Sequence, residues 1–175
     1  DTLIGQINRR PFAPTSEILA GIQFEKDVIE YVQTGIIKEG EYTSLIKKAC
    51  AMTPSIFLTQ FYVSVEIIPN VEFYGLCDIV GSGRIQDIKT TKYYDGAKYR
   101  LNHQSLYMLA MRKRGINISR MDYIVTDFQD VYMESYFWKS YFFDELIEEL
   151  RLFIMFLEEN KHSITDQKIF NYGSA

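Results

Sequence analysis

The segment from Tyr74 to Thr91 decides the fold, and it reads YGLCDIVGSGRIQDIKTT. Ser82–Gly83 is typical of a two-residue turn between antiparallel strands, with alternating or apolar residues on both sides. Such a turn pairs Val80 with Ile85. The segment is therefore predicted to be a β-hairpin, and its register fixes which side chains share a face.

Three charged side chains fall on one face of this hairpin. The register places Asp78 directly across from Asp87, and Lys89, two residues farther on, points to the same side. The other residues predicted on that face are apolar, namely Leu76, Val80 and Ile85. Two neighbouring carboxylates in apolar surroundings raise each other's pKa unless a cation lies between them. A divalent metal ion is the cation that we favour here.

A helix before the hairpin carries a third carboxylate among apolar residues. Helical periodicity runs from Ser16 to Gln33 and stops at Gly35. The predicted inner stripe consists of Ile18, Ile22, Ile29 and Val32, with Glu25 in its middle. A carboxylate in an apolar stripe costs free energy unless it is paired or binds a cation. Glu25 is therefore a candidate for the same site, and a structural salt bridge is the alternative.

The rest of the chain predicts further helices and strands around this hairpin. Helices are predicted over Glu41–Met52, Ala97–Arg114 and Tyr141–Asn160, and strands over Ile56–Ile67, Val71–Val80, Arg84–Thr90, Ile118–Asp127 and Val131–Trp138. In the first strand, Phe57, Thr59, Phe61, Val63 and Val65 are expected on one side, and in the last helix Leu146, Leu150, Phe153 and Leu157 form the expected inner stripe. A strand after the middle helix can join the sheet in parallel through a right-handed crossover. The expected fold class is therefore α/β, with a mixed central sheet flanked by helices.

Composition and charge narrow the class of protein. The chain has 175 residues, 47% of them hydrophobic, which predicts one compact domain over residues 1–162 and a C-terminal tail over 163–175. No apolar run reaches the roughly 18 residues of a membrane helix, no signal peptide is visible, and Cys50 and Cys77 lack a metal-binding spacing, so we expect a cytoplasmic protein without membrane contact. Arg84–Arg120 holds nine basic and two acidic residues, whereas Met121–Asn160 holds ten acidic and two basic ones. A basic middle favours one phosphate-binding face, and ordinary surface charge is the alternative.

Four short motifs follow one another along the chain. They are Glu25, GLCD at Gly75–Asp78, DIK at Asp87–Lys89 followed by two threonines, and HQSLY at His103–Tyr107. Each is common by chance, but the ordered set resembles the PD-(D/E)XK nuclease superfamily, in particular the branch with RecB-type nuclease domains and lambda-type phage exonucleases. The resemblance covers about Ser16–Asp127 and implies an αβββαβ restriction-endonuclease-like core.

This resemblance implies a metal-dependent deoxyribonuclease, with an exonuclease of phage or recombination type favoured. A restriction-type endonuclease and a noncatalytic nucleic-acid or protein binding domain are the alternatives. Asp78, Asp87 and the backbone carbonyl of Ile88 would bind Mg²⁺ or Mn²⁺, and Glu25 would join them directly or through water. Lys89 would orient the attacking water, and a plain ion pair with Asp87 is the alternative.

The resemblance also assigns residues outside the metal cluster. Gln104 and Tyr107 would position the site or the DNA, although the family more often separates this pair by four residues, so Tyr107 as a core residue is the alternative. His103 is expected to be structural. Candidate phosphate contacts are Lys92, Lys98 and Arg100, then Arg112, Lys113 and Arg114, and before the first helix Arg9 and Arg10. The implied partners are DNA, further copies of the chain in a ring, and a recombination or single-strand-annealing protein.

Overall fold

The computed structural model of the chain describes residues 3–9, 11, 13–55, 57–100, 104–138 and 142–170. Its helices are α1 (Leu3–Ile7), α2 (Ser16–Thr34), α3 (Thr43–Ala51), α4 (Gln104–Lys113) and α5 (Phe142–Glu159), and its strands are β1 (Leu58–Ile68), β2 (Val71–Gly81), β3 (Arg84–Thr90), β4 (Arg120–Thr126) and β5 (Val131–Phe137). The predicted elements are thus confirmed, most of them within two residues. The sequence pattern missed α1 and a short 3-10 helix at Lys161–Ser163.

The five strands form one mixed sheet in the order β1-β2-β3-β4-β5. Neighbours are antiparallel except β3 and β4, which run parallel and are connected through α4. Apolar residues of α4 and α5 cover one face of the sheet, and those of α2 and α3 cover the other. The predicted α/β class with a mixed sheet between helices is confirmed.

The hairpin between β2 and β3 has the predicted turn but a short ladder. Ser82 and Gly83 have φ angles of 52° and 74°, and Val80 pairs with Ile85 as predicted. The ladder starts at Gly81–Arg84 and its last pair is Ile79–Gln86. The pairing of β1 with β2, by contrast, continues to Ile68–Val71. The β1–β2 ribbon therefore separates from β3 immediately after Ile79.

The side chains of β1 change faces at Gln60, which contradicts the predicted one-sided alternation. Thr59 accepts a hydrogen bond from Gln33 of α2, whereas the following odd-numbered residues pack against the α4 side. Phe57 lies with the α2 side, and Phe61, Val63 and Val65 lie with the α4 side. Gln60 has a φ of 50°, a left-handed conformation that breaks the regular alternation of a strand.

Two predicted helix stripes are confirmed only in part, since Ile29 and Val32 of α2 and Leu146 and Leu150 of α5 pack against the core whereas other members do not. Ile18 and Ile22 are 40% and 58% exposed, and the buried residues of α2 are Gly21, Phe24, Val28 and Ile29. The first turns of α2 extend past the end of β3, where no sheet covers them, as the contact between Gly21 and the last residue of β3 indicates. Phe153 of α5 is exposed as well.

The middle helix starts later than predicted. Ala97 has a φ of 48°, and residues 98–100 form a turn, so this part of the predicted helix is not helical. Residues 101–103 lie outside the described part of the chain, and α4 is helical from Gln104.

The C-terminal segment lies against α1. The Asn8 amide donates to the carbonyl of Ser163 at 2.9 Å and accepts from the backbone N–H of Thr165 at 2.7 Å. Arg9 pairs with Asp166 at 2.8 Å. Within the described residues, no helix has both the length and the apolarity needed to cross a membrane.

Candidate active site

Two buried carboxylates lie where β2 and β3 separate. Asp78 and Asp87 are 8% and 7% exposed. They lie directly beyond the last pair of the ladder, on the side away from the turn. The predicted cross-strand pair of Asp78 and Asp87 is not part of the ladder, which ends at Ile79–Gln86. The Asp78 carboxylate accepts a hydrogen bond from the backbone N–H of Ile88 at 2.8 Å, while Lys89 pairs with Asp87 at 2.5 Å.

The face around these carboxylates is apolar on one side only. Val80 and Ile85 are buried, as predicted, but Leu76 is 45% exposed. Leu76 belongs to the part of β2 that has already left β3, so it has no neighbour on that strand to cover it. The expectation that Leu76 belongs to a core face is therefore wrong, and the carboxylates lie at the border between core and solvent.

Asp78 is the most strongly perturbed acid of the site. Burial, then the charge of Asp87 and, to a smaller extent, that of Glu25 raise its pKa, and the net value is about 7. The hydrogen bond from Ile88 and the charge of Lys89 act in the opposite direction. Near neutral pH, Asp78 is therefore only partly ionised as long as no additional cation is present.

The charge of Glu25 on α2 interacts with that of Asp87, although α2 packs on the face of the sheet opposite to Val80 and Ile85. Glu25 is half-buried, and burial followed by the charge of Asp87 raises its pKa, while Lys89 lowers it. The close approach of α2 to β3 depends on Gly21, because a Cβ at this position would lie 2.4 Å from the Oγ1 of Thr90. Gly21 precedes Glu25 by about one helical turn, so this contact brings the carboxylate to the strand.

Tyr107 lies beside the cluster on the β2 side. Its hydroxyl donates to the carbonyl of Leu76 at 3.3 Å, and a Cβ on Gly75 would lie 2.4 Å from that hydroxyl oxygen and 2.9 Å from ring carbons. Burial raises the pKa of Tyr107 to about 12, with further contributions from Cys77, Asp87 and Asp78. The sequence pattern pointed to Gly75 but not to its role, which is to leave room for the ring; a glycine inside a strand often marks such an approach.

Gln104 connects elements behind the site. It is buried, its amide nitrogen donates to the carbonyl of Arg100 at 2.6 Å, and its amide oxygen accepts from the Tyr123 hydroxyl at 3.2 Å. Both ends of the amide are therefore bonded within the protein. This geometry favours a positioning role for Gln104.

The predicted phosphate contacts divide into two groups. Lys92 and Arg100 are exposed. The others already bond within the protein: Arg9 pairs with Asp166, Lys98 donates to Thr91 and Tyr93, Arg112 to Asn117 and Ile118, Lys113 to Ile67, and Arg114 to Tyr62. Arg10 and His103 lie outside the described residues.

The donor atoms of the cluster suit a hard divalent cation. Carboxylate and carbonyl oxygens are the ligands that Mg²⁺ and Mn²⁺ prefer, and a cation would offset both the burial and the neighbouring Asp87 charge that raise the pKa of Asp78. As the side chains stand, no group of three or more His, Cys, Asp or Glu in the described part of the chain is arranged to hold a metal ion. Metal binding at this cluster would therefore require its acidic side chains to rearrange.

Comparison of the chain with protein-family models, with curated proteins and with solved structures yields no match.

Proposed function

We propose that this protein is a metal-dependent nuclease that hydrolyses DNA phosphodiester bonds, with a PD-(D/E)XK active site in a restriction-endonuclease-like core. The observation that carries the proposal is that Asp78, Asp87 and Lys89 lie together at the end of the β2–β3 ladder, while the charge of Glu25 on α2 acts on both aspartates. Three acids and one lysine at the end of a short ladder suit phosphoryl chemistry, which needs a cation between an attacking water and a charged phosphate. Apart from α3, which is inserted between α2 and β1, the element order α2-β1-β2-β3-α4-β4 is compatible with the αβββαβ core of the resembled family.

The residues have separate roles in the proposed reaction. Mg²⁺ or Mn²⁺, when bound, would activate water and offset the charge on the scissile phosphate. Asp78, Asp87, Glu25 and the carbonyl of Ile88 would hold the ion, and Asp78 would release its proton on binding because its pKa is raised in the absence of a cation. Lys89, released from Asp87, would donate a hydrogen bond to the water or to a phosphate oxygen.

Cleavage of labelled DNA tests the proposal. End-labelled linear, circular and single-stranded DNA are incubated with the protein and Mg²⁺, Mn²⁺ or EDTA. We expect metal-dependent loss of linear DNA, and sparing of circular DNA would identify the exonuclease that the resemblance favours. Degradation of circular DNA would instead indicate the endonuclease.

Substitutions assign the roles. Asp78→Ala, Asp87→Ala and Lys89→Ala are each expected to reduce the cleavage rate by roughly 100-fold or more while the protein stays folded. Glu41→Gln, which changes an exposed acid of the α2–α3 connection, is the control and should cleave like the wild type. Retained cleavage in any two of the three alanine variants would refute the assignment. If neither metal raises the melting temperature of the protein or permits DNA degradation, the noncatalytic alternative is favoured.

A further inference from the structure

The segment after β3, residues 91–100, is held in place by a buried carboxylate of β5. Glu134 is 7% exposed and accepts hydrogen bonds from the backbone N–H groups of Lys98 at 2.8 Å and Tyr99 at 3.1 Å. It also accepts from the hydroxyl of Tyr136 at 2.6 Å and from the side chain of Tyr94. Burial alone would raise the pKa of Glu134, but these hydrogen bonds outweigh it and lower the pKa, so the carboxylate is ionised at neutral pH.

Ring stacking fixes the same segment at two further points. Tyr94 stacks on Tyr132 with 4.4 Å between ring centroids, and Tyr99 stacks on Tyr123 at 5.1 Å. The segment is thus tied to β4 and β5 by both of these tyrosines. These contacts hold the segment more firmly than an exposed surface turn is usually held.

The ammonium group of Lys98 closes the segment on itself. It donates to the carbonyl of Tyr93 at 3.1 Å and to the hydroxyl of Thr91. Lys98, which the sequence suggested as a phosphate contact, is therefore better explained as part of the support of this segment.

The held segment presents one ring and two cations to solvent. Tyr93 is 70% exposed, although the other two tyrosines of the segment are packed. Lys92 and Arg100 are exposed too. An exposed aromatic ring beside cations is the combination with which proteins bind single-stranded nucleic acid, because bases stack on the ring and phosphates pair with the cations.

The segment also lies next to the candidate active site. It begins two residues after Lys89, and the backbone N–H of Thr91 donates to the carbonyl of Thr126 at the end of β4. At its other end, Tyr99 stacks on Tyr123, the residue of β4 that pairs with Asp87 of β3. A strand of nucleic acid bound here would therefore lead into the acid cluster.

We propose that residues 91–100 are a binding element for single-stranded nucleic acid, in which Tyr93 stacks on a base, Lys92 and Arg100 pair with phosphates, and Glu134 is the positioning residue. The choice of nucleic acid as ligand rests on the proposed function. The assignment of Tyr93, the supporting role of Lys98 and the anchoring role of Glu134 rest on the contacts above.

Binding of a fluorescein-labelled thymidine 20-mer, measured by fluorescence anisotropy in EDTA, tests the proposal without cleavage. We expect Tyr93→Ala to weaken binding roughly tenfold and Tyr93→Phe to bind within about twofold of the wild type, because the ring is kept. Lys92→Ala should lower the slope of log affinity against log salt concentration by about one. Phe137→Ala removes a 59% exposed ring at the opposite end of the sheet and should leave binding unchanged.

Glu134→Gln tests the anchor separately. The variant should lose hydrogen-exchange protection at the amides of Lys98 and Tyr99 and should bind the oligonucleotide more weakly, while Tyr136→Phe, which removes only one donor, should lose less of both. In cleavage assays, Glu134→Gln should raise KM more than it lowers kcat.

Three results would overturn the inference: a wild-type protein that does not bind the oligonucleotide, Tyr93→Ala that binds like the wild type, or Glu134→Gln with unchanged amide protection. Failure of the nuclease proposal has a different signature. In that case the wild type would bind the oligonucleotide and the Tyr93 and Glu134 variants would weaken it, but neither metal would support cleavage.

Discussion

At Asp78, three physical effects act on one carboxyl group. Burial and the neighbouring Asp87 disfavour its charge, and the N–H of Ile88 favours it. The balance leaves the pKa at about 7, about three units above the ordinary value. Such a group holds a proton in the absence of metal and gives it up to a cation, which links metal affinity to pH.

This raised pKa predicts how stability depends on pH. Between the unfolded pKa of 3.8 and the folded pKa of about 7, only the folded protein keeps the Asp78 proton. The contribution of Asp78 to stability is therefore complete below the unfolded pKa and is lost as the pH rises through the folded pKa. Asp78→Asn does not titrate and can still accept from Ile88. In EDTA, we expect the wild type to lose a few kcal/mol relative to this variant between about pH 4 and pH 8.

Urea unfolding at a series of pH values measures this difference. Glu41→Gln serves as a control for the loss of one carboxylate, and its stability should follow the wild type across the series. Parallel pH profiles for the wild type and Asp78→Asn would show that Asp78 has an ordinary pKa in the folded protein. A saturating concentration of Mg²⁺ should shift the pH range in which the wild type loses stability relative to Asp78→Asn to lower pH.

Among the elements, the packing of α2 on β3 has the largest consequence for the site. α2 can carry Glu25 to the cluster only because Gly21 lets the helix approach Thr90. Glycine is a poor helix former, so this position gives up roughly 1 kcal/mol of helix propensity for the close contact. The ladder between β2 and β3 is also short, and it ends directly before the two carboxylates.

A pair of substitutions tests this packing. Gly21→Ala should destabilise the protein by about 1 kcal/mol or more and slow cleavage, because the new methyl group meets the Thr90 hydroxyl and displaces α2. In a Thr90→Ala background that hydroxyl is absent, so Gly21→Ala should be neutral or stabilising. Gly40→Ala, which meets no atom within 4 Å, is the matched control. An equal loss of stability in both backgrounds would show that another contact limits the approach.

Across the whole molecule, the two ends of the described chain are bound to each other. Asn8 makes both of its amide hydrogen bonds with the segment after α5, and Arg9 pairs with Asp166 in that segment. None of these contacts involves the acid cluster. These contacts therefore stabilise the fold at a place on which the proposed chemistry does not depend.

Asn8→Ala tests this separation of stability from function. The variant loses two hydrogen bonds and should be less stable by about 1–3 kcal/mol in urea unfolding, with faster proteolysis of the C-terminal segment. Its cleavage rate at a temperature where it is folded should equal that of the wild type. Gln167→Ala, an exposed position in the same segment, should change neither quantity. A large loss of cleavage in Asn8→Ala would indicate that the contacts between the two ends of the chain also affect the geometry of the site.

Much of the fold and part of the acid cluster could be predicted from local patterns. The order of helices and strands, the turn at Ser82–Gly83 and the pairing of Val80 with Ile85 follow from periodicity and backbone preference, which act over a few residues. The same register predicted that Asp78, Asp87 and Lys89 lie close together, although the ladder ends before it pairs the two aspartates. Glu25 could be singled out because an acid among apolar residues is costly.

Contacts between distant parts of the chain fixed the rest. The change of faces at Gln60, the room that Gly75 leaves for Tyr107, and the anchoring of residues 91–100 by Glu134 have no periodic signature. They arise where one strand leaves another or where a helix and a strand approach closely. Packing across the sheet determines these positions, and it overrides the alternation and the helical stripes that local preference alone predicts.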